Sequence, residues 1–116
     1  MLRADLKGLS ISDDIVSEDG KMCAHTPFNV PVHLTVGIEG SEGGDIFVSS
    51  ICNIMWLERE ITRARILIET KTFIVGNFSL QEIESVVREL VNSITSNDWN
   101  GIVARLSEFS SWEFAN

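Results

Sequence analysis

Residues 29–39 alternate with a period of two. Val30, Val32, Leu34, Val36 and Ile38 fall on one side, and Asn29, Pro31, His33, Thr35 and Gly37 fall on the other. That pattern fits a β-strand with one face dry and the other wet. Such a strand belongs to an antiparallel sheet covered on one side, so the chain must supply a second layer. Gly40-Ser41-Glu42-Gly43-Gly44 reads as the turn, and residues 45–52 as the returning strand of a hairpin. Pro31 has no N–H for a ladder, which places the start of its strand at a sheet edge, where a second copy of the chain has room to pair.

The rest of the chain supplies the other layer. Residues 2–12 read as a first strand whose phase shifts at Gly8, as at a bulge. Residues 13–26 form a polar loop with Asp13, Asp14, Glu18 and Asp19. Asn53 is placed to cap a short helix through Ile61 that carries Trp56 and Leu57. Residues 64–74 are rich in β-branched side chains and read as a fourth strand. Ser79 with Glu82 forms a capping box ahead of the apolar stripe Leu80, Ile83, Val86, Val87, Leu90, Val91 and Ile94. A second amphipathic helix starts near Asn97 and Asp98, and Gly101 inside it costs about 1 kcal/mol against Ala. The tail, Ser111-Trp112-Glu113-Phe114, reads as a short strand. Its two rings close the core, and Glu113 on the other side pairs with a base such as Arg105 or faces a partner. The expected fold is α+β, a mainly antiparallel sheet of about four to five strands with two C-terminal amphipathic helices packed on one face.

The 116 residues make one domain, 1–116, large enough for a core without metals or disulfides. No stretch approaches the roughly 18 apolar residues of a membrane span, and the N-terminus lacks the pattern of a secretory signal, so the cytoplasm is the expected compartment. There Cys23 and Cys52 stay thiols. With 17 acids against 9 bases, the net charge of −8 argues against direct nucleic-acid binding and suits a basic protein partner. Motifs for chemistry are sparse. Cys23 and His25 lack the further ligands of a metal site, and His33 sits on the wet face of its strand. The glycine run joins two strands beside Glu42 and Asp45, which would repel a phosphate. No catalytic set, metal site or cofactor is expected. The acids Glu39, Glu42 and Asp45 around one turn, and Asp13, Asp14, Glu18 and Asp19 in one loop, read as a docking surface for a basic partner. A dimeric regulatory or structural domain is one alternative, and a small α+β enzyme using Cys23, His25 or His33 is the other. It requires a pocket where at least two of these meet a carboxylate.

Several elements together resemble the immunity protein 8 family, the neutralising partners of bacterial polymorphic and contact-dependent toxins. They are the opening strand with Leu6, Leu9 and Ile11, the Val36-Gly37 strand end, and Glu42-Gly43-Gly44-Asp45-Ile46-Phe47. Cys52 with Trp56-Leu57, the long helix, and a second helix closing on Trp112-Glu113-Phe114 complete the match. Asn53-Ile54 stands where the family often has Thr-Pro. The resemblance implies a non-enzymatic inhibitor that binds the C-terminal toxic domain of a cognate effector, a basic nuclease in the reading that fits the charge. Trp112, Glu113 and Phe114 form the family's structural tripeptide.

Overall fold

A computed structural model describes residues 1–11, 26–76 and 79–115. In chain order the elements are β1 (Leu2–Ile11), β2 (Asn29–Ile38), β3 (Asp45–Asn53), α1 (Ile54–Ala64), β4 (Thr72–Val75), α2 (Leu80–Asn92), β5 (Thr95–Ser96), α3 (Trp99–Leu106) and β6 (Ser111–Trp112). The strands form one sheet in the order β4-β3-β2-β1-β5, with β6 joining β3. The class is α+β. All pairings are antiparallel except β3–β4, so the sheet is mixed.

The alternation of β2 is realised as written. Val32, Leu34 and Val36 are buried, and Pro31 and His33 are exposed. Its position differs from the expectation, because β2 lies between β1 and β3 and is not an edge strand. Pairing of two copies along β2 is therefore blocked over Val32–Val36, where both neighbours are already in register. The shift at Gly8 is also present. Leu6 faces Val36 and Leu9 faces Leu34, with Lys7 as the extra residue. The bulge keeps Leu6, Leu9 and Ile11 over the same dry face despite the break in phase.

The 64–74 reading needs correction. α1 runs on to Ala64, and only Thr72–Val75 joins the sheet. A strand parallel to β3 must start at the same end as β3 does, so the chain has to travel back before pairing. Residues 65–71 make that return. Arg65 and Lys71 have left-handed backbones (φ 71 and 54), which bracket the segment and rule out a continuous strand.

α2 and α3 lay Ile83, Val87, Val91, Ile102, Val103 and Leu106 on the dry face, together with Phe47, Ile51, Ala4 and Leu6. Their caps follow the sequence. Ser79 Oγ accepts from Glu82 N–H at 3.2 Å, and Asp98 Oδ1 accepts from Gly101 N–H at 2.8 Å. Gly101 has a packing reason. A Cβ there would lie 1.8 Å from Ser96 Oγ and 2.8 Å from Ser96 Cβ.

α2 also closes the outer edge of β1. β5 and Ile94 pair with β1 at Leu2, Arg3 and Ala4, and beyond them Leu6 would be left open. Asn92 Oδ1 accepts from Leu6 N–H at 2.9 Å, and Arg88 donates to Leu6 O at 2.6 Å while pairing with Glu84 at 2.9 Å. Open strand edges invite pairing with other chains, and here helix side chains satisfy one.

Asn53 does more than cap α1. Its buried amide oxygen accepts from Trp56 N–H at 3.0 Å and Phe28 N–H at 3.2 Å, and its Nδ2 donates to Thr26 O at 2.9 Å. A threonine hydroxyl has the one donor and two acceptor sites this requires, but its reach is one atom shorter and both roles fall on a single oxygen, so it could not span the positions that Oδ1 and Nδ2 occupy.

Candidate partner-binding site

The turn joining β2 to β3 sets the geometry of one end of the sheet. Gly43 has φ +79, and its carbonyl oxygen would lie 2.3 Å from any Cβ at Gly37, so the two glycines allow the turn to fold back on β2. Lys7, extruded by the bulge, donates to Ser41 O at 2.8 Å and pairs with Asp5 at 3.0 Å. Glu39 pairs loosely with Arg3 at 3.6 Å, both side chains being exposed. Glu42 is exposed, and Asp45 is half-buried. Together with Trp99, Ser41 and the turn glycines, Glu42 and Asp45 line a shallow hollow of about 230 Å³.

The C-terminal tail is fastened to the same end. β6 pairs with Phe47 and Val48. Glu113 and Ile46 exchange two hydrogen bonds. Glu113 N–H donates to Ile46 O at 2.9 Å, and Ile46 N–H donates to Glu113 Oε1 at 3.0 Å. Asp45 Oδ2 accepts from the Trp112 indole N–H at 2.9 Å. The expected Glu113–Arg105 pair is not formed; Arg105 lies 3.8 Å from Glu108 instead. Glu113 reaches back along the sheet edge because the strand stops at Trp112 and a turn follows, closed by Ala115 N–H to Trp112 O at 3.0 Å.

The two rings of the tail part company. Trp112 is half-buried and stacks on Phe47 (centroids 6.5 Å apart), and Phe47 also meets Trp99 edge-on at 6.3 Å. Phe114 is 62% exposed and rests edge-on against Trp112 at 5.4 Å, so it does not close the core. The turn after Trp112 breaks the alternation that would have put both rings on one side.

Glu42 and Asp45 thus share one hollow, with Glu113 beside Asp45, while Glu39 lies with Arg3. Asp13, Asp14, Glu18 and Asp19 lie outside the described residues, as do Cys23 and His25. His33 is exposed beside Ser10, Ile11 and Pro31 around a cavity of about 280 Å³, and among the described residues no carboxylate or cysteine lines it. Among the described residues no group of three or more His, Cys, Asp and Glu is placed to hold a metal. Cys52 is fully buried; that burial, with the Glu69 carboxylate nearby, pushes its thiol pKa up.

Sequence reasoning missed the two locks on the tail, Asp45 to indole and Glu113 to backbone. The sequence signal for the first was an acid, Asp45, two positions before Phe47, the strand partner of Trp112. It also missed Ser49, a buried serine on the dry face of β3. Ser49 donates to the backbone carbonyl of Phe109, in the segment that follows α3.

An α+β domain with a tied-down tail and an acid-and-aromatic end fits a module that presents a fixed surface. The chain belongs to the immunity protein 8 family, whose model matches residues 4–116. Membership implies an immunity protein against a polymorphic toxin. No curated protein and no solved structure matches the chain. Among the described residues no helix is long and apolar enough to cross a membrane.

Proposed function

We propose that this chain binds and neutralises the C-terminal toxic domain of a cognate contact-dependent inhibition effector, acting in the cytoplasm without catalysing a reaction. The family match over residues 4–116 carries this reading. The charge of −8 supports the finer part, that the toxin is a basic nuclease. A nuclease needs Lys and Arg for the phosphate backbone, and an acidic inhibitor competes for that surface. The capture face is Glu39, Glu42 and Asp45, with Asp13, Asp14, Glu18 and Asp19 assigned to it from the sequence. Restraining a lethal enzyme demands nanomolar affinity or better, about 12 kcal/mol. Exposed charges mainly set the encounter rate, so buried anchors must supply most of that affinity.

Co-expression tests the reading. Cells carrying the toxic domain encoded immediately upstream should survive when this chain is present and die with an unrelated immunity protein. Death in both cases refutes neutralisation. An association rate that does not change between 50 and 500 mM salt refutes the basic-partner part.

A further inference from the structure

The two edges of the sheet are finished differently. On the β1 side, β5, Ile94, Asn92 and Arg88 satisfy the backbone. On the other side β4 is outermost, and no described strand pairs with its outer edge. Ser50 N–H donates to Lys71 O at 3.0 Å, which fixes the parity of the parallel ladder. The backbone groups of Phe73 then face β3, and those of Thr72 and Ile74 face outward.

Beside this edge lies a groove of about 330 Å³ between β4 and α2. Phe73, Ile74, Val75, Ile83, Val86 and Val87 make it apolar, and among the described residues Glu82 is the charged one that lines it. Val86 is 64% exposed, so apolar surface that a finished core would cover is left bare. On α2, Glu82 and Glu89 stand one turn to either side of Val86. Neither forms an ion pair with a described residue.

We infer that this groove seats an extended apolar segment of the toxin domain, flanked by Lys or Arg, which adds to β4 as a further strand. Charge decides the occupant. A second copy of a chain carrying −8 would bring Glu82 and Glu89 against their own kind, whereas a basic toxin meets them with opposite charge. Backbone pairing at Thr72 and Ile74 supplies register, and the groove between Phe73 and Val86 takes alternate side chains. The inference rests on the neutralising role and assigns the anchor of that interaction, remote from the acidic turn at the far end of β3.

The test uses the purified full chain and the upstream-encoded toxic domain. Val86→Asp places a charge in the groove. Ile74→Pro removes an outward N–H while leaving the β3 ladder intact, and Ile74→Ala is its side-chain control. Val86→Asp and Ile74→Pro should each speed dissociation at least tenfold, Ile74→Ala less than Ile74→Pro, with the melting temperature of Val86→Asp near wild type. Hydrogen exchange in peptides covering 72–75 should slow in the complex. Wild-type dissociation from both Val86→Asp and Ile74→Pro, in a chain that still neutralises, overturns the inference and leaves the proposed function standing. Absence of any binding by the unmodified chain overturns the proposed function first. Concentration-dependent dimers abolished by Val86→Asp would identify a second copy as the occupant and overturn the inference.

Discussion

Asp45 has two jobs that one set of substitutions can separate. Its carboxylate accepts the Trp112 indole N–H at 2.9 Å, and it also contributes charge to the hollow it shares with Glu42. A hydrogen bond to an ionised group contributes about 1.5–3 kcal/mol, against about 0.5–1.5 for a neutral pair. Asp45→Asn keeps an acceptor at the same place, so it should cost about 1 kcal/mol. Asp45→Ala removes the acceptor from a half-buried indole and should cost about 1.5–3 kcal/mol. For a domain of this length about 1 kcal/mol moves the melting temperature by roughly 4 °C. Asp45→Ala should therefore melt about 6–12 °C below wild type, Asp45→Asn about 4 °C below, and exposed Glu42→Gln within about 2 °C. Association with the toxin should sort the same variants differently. One unit charge acting at about 8 Å through water is about 0.5 kcal/mol, or roughly twofold in rate. Asp45→Asn and Glu42→Gln should thus slow association about equally at low salt and not at all at high salt. Calorimetry and stopped-flow mixing read the two effects. A melting temperature for Asp45→Ala equal to that of wild type would refute the account of the tail lock.

Asn53→Ala takes the side-chain acceptor away from the Trp56 and Phe28 amides at once; urea unfolding should show a loss of about 2–4 kcal/mol, and Asn53→Thr should recover only part of it. Gly101→Ala should lower the melting temperature although helix propensity alone predicts a gain of about 1 kcal/mol, because the new methyl forces α3 away from β5. Adding Ser96→Gly to that variant should restore much of the loss, and an additive double mutant would contradict the packing argument. The Cys52 thiol, raised by burial and then by Glu69, holds its proton more tightly folded than unfolded, so its contribution is complete below about pH 9 and shrinks as pH rises beyond it. Wild type should lose stability relative to Cys52→Ala across that window, and iodoacetamide at pH 8 should label Cys52 only after unfolding.

Local pattern determined much of this protein. The period of two in β2, the phase break at Gly8, and the caps at Asn53, Ser79 and Asp98 all report short-range geometry, in which a few neighbouring residues fix the backbone. The α+β class and the helix layer on the dry face follow from the same stripes. Glu39 and Glu42 were legible as surface because charged side chains at a glycine-rich bend have nowhere dry to go, whereas Asp45 is half-buried against the tail.

Tertiary structure decided the rest. That β4 pairs in parallel, and that residues 65–71 are consumed in reaching it, depends on which edge of β3 was left open. Its Ile66, Ile68 and Thr70 look like strand in sequence all the same. Val86 and Leu90 belong to the α2 apolar stripe, yet both are exposed, because the helix covers β1 closely and leaves the β4 end bare. Glu113 and Asp45 are 68 residues apart in sequence. Only the docking of β6 on β3 brings them to adjacent places, where one holds a backbone and the other an indole. Contacts between distant segments obey no local period, so neither the locked tail nor the open groove could be read before the chain was folded.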